Sequence, residues 1–161
     1  AKAGTLSILV GGQRADFDTA LPIFQAMGKT ITYFGPAGCG QHAKMANQIM
    51  IAGALSGVCE ALAYAKAEGL DRSTLVNALS SGAAGSKQLD FQGHKILDGD
   101  FAPGFFMKHF IKDMAIADEE AKAAGLTMPV LEEVLEMYRE LDRRGEGDLG
   151  TQAVIHYFDE K

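Results

Sequence analysis

The chain has 161 residues, the size of one ordinary domain, and 47% of them are hydrophobic, enough to bury a core. This composition excludes a disordered chain, which would be poorer in Leu, Ile, Val and Phe. The net charge is −6, from 15 basic and 21 acidic residues, and the sequence contains no basic stripe. We therefore expect no binding to nucleic acid.

We expect neither a membrane span nor a metal site. The longest uncharged run, Met45 to Cys59, contains polar residues and stops short of the roughly 20 apolar residues that a span needs. The four histidines have no spacing typical of metal ligands. The two cysteines, Cys39 and Cys59, form no framework of disulfides, so the sequence predicts a reducing, cytoplasmic location.

Residues 1–36 predict a β-α-β unit. Thr5 to Val10 alternates and is followed by two glycines, which indicates a strand. Asp16 to Met27 has apolar residues at helical spacing, and Thr30 to Phe34 is a β-branched and aromatic run that indicates a second strand. Because two short strands are marginally stable alone, we expect them to complete a sheet whose other strands precede residue 1.

Residues 37–161 predict a mainly helical domain. A long helix fits from Gly40 to Glu68, with Gly69 as its stop, and its many small residues would let neighbouring helices approach closely. The predicted fold class is mainly α, a helical bundle built on one long central helix after the β-α-β lead-in. Further helices are expected at Asp71 to Leu79, Ser86 to Leu97, Phe106 to Ala124, Val130 to Arg143 and Thr151 to Phe158.

The run from Gly38 to Gln48, at the start of the long helix, is the most informative. Its glycines make a tight turn, and Lys44 follows close to the helix start, with Asn47 and Gln48 at i+3 and i+4 on the same face. A cation there opposes the helix dipole, which favours the neutral amine and suits a lysine that transfers a proton. From spacing alone, a solvated surface lysine is the commoner interpretation.

Three separated segments carry a resemblance to a known family. They are Gly4 to Gly12, Gly38 to Gln48, and Gly99 to Phe105 together with Lys108 to Met114. In this order they are similar to the C-terminal domain of the β-hydroxyacid dehydrogenases, which include 3-hydroxyisobutyrate dehydrogenase and tartronate semialdehyde reductase. The resemblance covers essentially the whole chain. It implies that the lead-in completes the sheet of an N-terminal Rossmann domain.

The resemblance also implies a role for each matching residue. Lys44 would be the general acid/base, which takes the hydroxyl proton of the substrate as hydride leaves for the nicotinamide. Asn47 and Gln48 would bind the substrate. The family often has Asn at i+4 from the lysine, where this chain has Gln48, so which amide holds the substrate oxygen stays open. Lys112 would lie near the nicotinamide end of the cofactor, and Asp113 would help to shape the site.

The implied parent protein uses NAD or NADP to interconvert a short 3-hydroxy acid and its semialdehyde, and is a homodimer or homotetramer through the helical domain. The family's Gly-rich nucleotide-binding turn and its carboxylate-gripping loop belong before residue 1, so we expect this chain alone to be inactive.

The alternative is a non-catalytic helical oligomerisation or interaction domain, because a long helix with small residues suits contacts between subunits. Such a domain has no need of Lys44, Asn47 and Lys112 together. Two related enzyme classes fit less well. Imine reductases usually lack the lysine, and 6-phosphogluconate dehydrogenases have His where Ala46 precedes Asn47 here.

Overall fold

A computed structural model describes residues 3–159, which fall into two compact units divided after Asn47. The first unit begins with two parallel strands around a helix. From Leu6 opposite Gly28 to Gly11 opposite Gly35, the strands pair with irregularities near both ends. The predicted β-α-β lead-in is confirmed. Its elements are β1 (Leu6–Gly11), α1 (Arg14–Met27) and β2 (Gly28–Gly35), followed by the start of α2 (Cys39–Ala67).

Aromatic side chains form the core of the first unit. Phe17 of α1 is 8% exposed, and its ring centroid lies 5.2 Å from that of Tyr33 and 6.3 Å from that of Phe24. The Tyr33 hydroxyl donates a hydrogen bond of 2.8 Å to the carbonyl of Gly12. This bond fixes the end of β2 against the turn that follows β1.

The second unit is helical, as the sequence predicted. The amides of Gly69 and Leu70 close α2 on the carbonyls of Lys66 and Ala65, and Gly69 takes the positive φ of +71° that such a helix end favours. The Asp71 carboxylate then accepts from the amide of Thr74 and caps the next helix. The remaining helices are α3 (Arg72–Ser80), α4 (His94–Leu97), α5 (Met107–Ala123), α6 (Pro129–Arg143) and α7 (His156–Asp159).

Large side chains fill the core of the second unit. Phe110 of α5 and Tyr138 of α6 are both fully buried, with ring centroids 5.3 Å apart in an edge-to-face arrangement. Such aromatic pairs stabilise a core beyond the area they bury. Around them lie further buried apolar residues of α2, α5, α6 and the C-terminal segment: Leu55, Leu62, Met107, Met114, Leu135, Leu141 and Ile155.

Two segments differ from regular α-helix in ways that the sequence did not predict. The expected helix from 86 to 97 contains a π-helical turn, Leu89–Gly93, before α4. Gly93 is buried, and a Cβ there would lie 3.6 Å from Val76 of α3, so the turn coincides with a close helix approach. The last predicted helix begins as a buried 3₁₀ turn, Thr151–Ile155.

Helix α2 is the one helix among residues 3–159 that is long and apolar enough to cross a membrane. Its best 18-residue window has a mean hydropathy of 1.4, and 44% of that window is buried inside the protein. The sequence predicted no span because only the uncharged run from Met45 to Cys59 was counted, whereas this test admits up to two charged residues in the window. The core helix of a soluble protein passes the same test of length and composition, so the expected lack of a membrane partner stays a prediction.

Candidate active site

Backbone contacts between glycines position the start of α2 in the first unit. A Cβ on Gly40 would lie 2.7 Å from the carbonyl oxygen of Leu9 and 2.8 Å from the nitrogen of Gly11. A Cβ on Gly11 would lie 2.7 Å from the nitrogen of Gly40. Gly38 supplies the turn, with a φ of +95°. The two glycines before Lys44 therefore have separate roles, one in the turn and one in the close approach to β1.

Lys44 lies on the second turn of α2, beside a cleft of about 670 Å³. Its side chain is exposed. Residues of β1 form much of the cleft wall, and Phe24, Gln41 and Met45 also line it beside Lys44. The arrangement places a primary amine beside a largely apolar cleft, the kind of surface that small molecules occupy.

The two amides that follow Lys44 lie in different environments. Asn47 is exposed. Gln48 is only 2% exposed, and its Nε2 donates a hydrogen bond of 2.9 Å to Oδ2 of Asp113. A buried side-chain amide of this kind has exchanged water for a fixed partner. The structure thus separates two residues that the sequence could not distinguish.

Asp113 of α5 accepts on both carboxylate oxygens in the second unit. Oδ2 accepts from Gln48, and Oδ1 lies 2.7 Å from Nζ of Lys112. Asp113 is 7% exposed, whereas the Lys112 side chain is 64% exposed. Two of the predicted site residues, Gln48 and Lys112, are therefore brought together through a third, Asp113. We call these three residues the Asp113 cluster.

The segment that leads into α5 is held by backbone hydrogen bonds. The amide of Met107 donates to Leu149 and that of Thr151 donates to Phe105. Phe106, the residue just before α5, is 36% exposed, and its ring lies edge-on to that of His109 with the centroids 5.4 Å apart. These contacts fix the first turn of the helix that carries Lys112 and Asp113.

The buried thiol of Cys59 offers no competing chemistry. Cys59 is fully buried, and burial raises the pKa of its thiol far above the usual range, so it is not a nucleophile at neutral pH. Among residues 3–159, no group of three or more His, Cys, Asp or Glu side chains is arranged to hold a metal ion.

Sequence reasoning missed the hydrogen bond between Gln48 and Asp113. The two residues are 65 positions apart, and no local spacing indicates which polar residues of two helices will meet. Gln48 lies at i−4 from the buried Ala52. That position on the buried face of α2 was the one available signal that its amide would need a partner inside the protein.

The chain belongs to the β-hydroxyacid dehydrogenase family. Residues 38–158 match the family described as the NAD-binding domain of NADP-dependent 3-hydroxyisobutyrate dehydrogenase. Residues 1–35 match the family described as the NAD binding domain of 6-phosphogluconate dehydrogenase. The resemblance stated from sequence motifs is therefore confirmed, and so is the mainly helical fold class with its two-stranded lead-in.

Individual relatives agree with this assignment. The chain is 48% identical to the uncharacterized oxidoreductase YkwC of Bacillus subtilis, over 96% of this chain and 54% of that protein. It is 37% identical to 2-hydroxy-3-oxopropionate reductase of Escherichia coli, over 96% of this chain and 53% of that protein. The chain spans about half the length of the curated relatives it matches.

A solved relative shares the fold closely. The structure of Mycobacterium tuberculosis 3-hydroxyisobutyrate dehydrogenase with L-serine has a TM-score of 0.91 and 27% identity, and the match covers 99% of this chain and 57% of that chain. The domain boundary between residues 36 and 37 and the roles of Lys44, Asn47, Gln48 and Lys112 stay predictions.

Proposed function

We propose that the protein containing this chain is an NAD- or NADP-dependent dehydrogenase that interconverts a short 3-hydroxy acid and its semialdehyde. The observation that carries the proposal is the exposed amine of Lys44 at the rim of the 670 Å³ cleft. Two relatives support the substrate class. One is named for 2-hydroxy-3-oxopropionate, and the other was solved with L-serine, a 3-hydroxy acid.

Lys44 would act as the general acid/base. In the oxidative direction its neutral Nζ accepts the proton of the substrate hydroxyl, and in the reductive direction the ammonium returns that proton to the carbonyl oxygen. The bound nicotinamide supplies the hydride acceptor. Asn47 is the exposed amide on the next turn of the same helix, so it is the better placed of the two amides to hold a substrate oxygen.

The described residues fit one part of a nicotinamide cofactor. Lys112 presents a largely exposed ammonium that Asp113 holds in place, and we assign it to the nicotinamide end of the cofactor. Gln48 contributes a buried amide that is already bonded to Asp113. The cytoplasmic location predicted from the sequence remains part of this proposal.

A second copy of the chain is the partner that the exposed face of α2 supports. Met50 and Tyr64 are 76% and 66% exposed, and between them shallow clefts of about 290 and 470 Å³ both border Gly53 and Gly57. Small residues at this spacing allow two helices to approach closely. We propose a homodimer or homotetramer. This face is also what favours the alternative of a non-catalytic oligomerisation domain.

The test is turnover by the full-length protein. Reduction of NAD⁺ and NADP⁺ would be followed with 3-hydroxyisobutyrate, glycerate and L-serine, for the wild type, Lys44→Ala and the control Lys29→Ala, which replaces an exposed lysine of β2. We expect Lys44→Ala to lower kcat by about 10²-fold or more, the scale of a lost general acid/base, with Lys29→Ala unchanged.

Three other results would each overturn a different part of this account. Unchanged turnover by Lys44→Ala would move proton transfer to another group. No turnover by the wild type with any 3-hydroxy acid, together with an oligomer in light scattering of the same preparation, would favour the non-catalytic alternative. Turnover by residues 1–161 alone would contradict the expectation that this chain is inactive without a nucleotide-binding half.

A further inference from the structure

The Asp113 cluster contains a buried carboxylate whose two oxygens have different partners. Oδ2 accepts from the neutral amide of Gln48 at 2.9 Å, and Oδ1 pairs with the ammonium of Lys112 at 2.7 Å. Gln48 and Asp113 are 2% and 7% exposed. Lys112 is the one member of the cluster whose side chain is mostly exposed, at 64%, so the cluster presents its ammonium to the surroundings.

The ion pair is not a product of helix geometry. Lys112 and Asp113 are neighbours in sequence, and adjacent residues on a helix point in different directions. The lysine side chain must therefore turn back over the helix for Nζ to reach Oδ1. A lysine with an exposed side chain otherwise samples many rotamers. The ion pair with the buried carboxylate favours the rotamers that keep the ammonium beside Oδ1.

Stability alone does not account for this arrangement. Burying a carboxylate costs desolvation free energy that pairing only partly offsets, and apolar residues of similar volume would often serve a core as well. A carboxylate kept at this depth is better explained by the group it holds. Gln48 fixes the orientation of the carboxylate, because its hydrogen bond leaves Oδ1 directed at Lys112.

We propose that Gln48 and Asp113 are positioning residues that hold the Lys112 ammonium ready for the cofactor, so that Gln48 acts through Asp113 and not on the substrate. This inference rests on the proposed function. It assigns the amide at i+4 from Lys44 to the cofactor side and leaves Asn47 as the amide for the substrate. A preorganised cation binds without first having to be ordered.

The experiment is a double-mutant cycle in the full-length protein, with separate measurement of KM for the cofactor and KM for the acid. Gln48→Met and Lys112→Met remove the hydrogen-bonding groups at similar length, and Asp113→Asn removes the charge. We expect Asp113→Asn and Lys112→Met each to raise the cofactor KM by about 10- to 100-fold, the worth of a hydrogen bond to a charged group. Gln48→Met should raise it less, and the acid KM should stay unchanged in all three.

The coupling between the effects of two substitutions on the cofactor KM distinguishes a positioning role from a merely structural one. Asp113→Asn combined with Lys112→Met should raise the cofactor KM no more than Lys112→Met alone, because Asp113 acts only through the ammonium that Lys112→Met has already removed. The matched control is another lysine–aspartate pair on α5, Lys122 and Asp118, whose Nζ and Oδ2 are 2.8 Å apart. Lys122→Met and Asp118→Asn should leave both KM values unchanged.

Failures of the two proposals are distinguishable. A working wild type in which the two effects simply add would overturn the positioning role alone. So would a Gln48→Met variant that raises only the acid KM, which would make Gln48 a substrate ligand. A wild type that neither turns over a 3-hydroxy acid nor changes the fluorescence of added NADH or NADPH would overturn the proposed function, and this inference with it.

Discussion

Different kinds of contact stabilise the interior of each of the two compact units. In the first, β1 and the start of α2 meet backbone to backbone at Gly11 and Gly40, with no room for a side chain. In the second, helices meet through large side chains such as Phe110 and Tyr138, and through a buried polar bond from Gln48. The contact in the first unit requires glycines, which have no Cβ. The contacts in the second unit require side chains of matching shape and paired polar groups.

This difference predicts different responses to substitution. Main-chain atoms in contact cannot move aside by a change of rotamer. Even one methyl group added to a glycine there must therefore displace the main chain. Side-chain contacts tolerate changes that conserve volume, at a cost of about 1.5 kcal/mol or less. The loss of one partner of a buried polar bond costs more, because the other partner is left unsatisfied. Each difference can be measured in the free energy of unfolding.

The largest effect on stability is expected from Gly40→Ala. The added Cβ would lie under 3 Å from Leu9 and Gly11 backbone atoms, so β1 and α2 would have to separate. We expect a loss of about 3 kcal/mol in the free energy of unfolding, measured by urea denaturation followed by circular dichroism. Turnover should fall with it, because the same contact positions Lys44.

The control is a second glycine of the same helix. A Cβ on Gly57 meets no atom within 4 Å, so Gly57→Ala should stabilise α2 by about 0.5–1 kcal/mol through helix propensity alone. Equal effects of the two substitutions would show that the close approach at Gly40 does not limit stability. A loss in Gly57→Ala that depends on protein concentration would instead indicate a second copy of the chain on that face.

Sequence alone predicted the helices well where a glycine or a capping residue marks their ends. The long helix was expected from Gly40 to Glu68 and is Cys39–Ala67, since glycines bracket it at both ends. The next helix was expected from Asp71 to Leu79 and is Arg72–Ser80, with Asp71 as the residue that caps it. The position of Lys44 near the start of α2 followed from the same glycines, whereas the catalytic role that we propose for it rests on the family resemblance.

What sequence could not predict depends on contacts between distant segments. The π-helical turn occurs where Gly93 approaches Val76 of another helix. The 3₁₀ turn after Gly150 is fixed by the Gln152 amide, which donates to the carbonyls of Asp100 and Ala102, about fifty residues earlier. The bond between Gln48 and Asp113 is of the same kind. Only the fold brings these groups together.

A smaller effect is expected from Tyr138→Phe in the second unit. The Tyr138 hydroxyl donates a hydrogen bond of 2.7 Å to the carbonyl of Thr151, and both residues are buried. Removing the hydroxyl leaves that carbonyl unsatisfied while the ring contact with Phe110 is kept. We expect a loss of about 1–2 kcal/mol in the free energy of unfolding, measured by the same urea denaturation.

Tyr64→Phe is the matched control, because Tyr64 is 66% exposed on α2. Removal of an exposed hydroxyl should change the free energy of unfolding by no more than about 0.5 kcal/mol. If both substitutions were neutral, the C-terminal segment would not depend on the hydrogen bond from α6. Its position would then follow from apolar burial alone.

The smallest effect is expected at the exposed cap of α3, and it depends on pH. Hydrogen bonds from the side chain and backbone of Thr74 hold the pKa of Asp71 below its ordinary value. A carboxyl whose pKa is lower in the folded state stabilises the protein above its ordinary pKa. That contribution is lost as pH falls through the folded-state value.

Asp71→Asn keeps an acceptor for the helix start but has no charge to lose. The difference in Tm between wild type and Asp71→Asn should therefore be present at neutral pH and shrink as the pH is lowered to about 3. Asp71→Ala, which has no capping group at any pH, should stay below Asp71→Asn throughout. A difference between wild type and Asp71→Asn that does not change with pH would mean that the charge of Asp71 adds nothing to the cap.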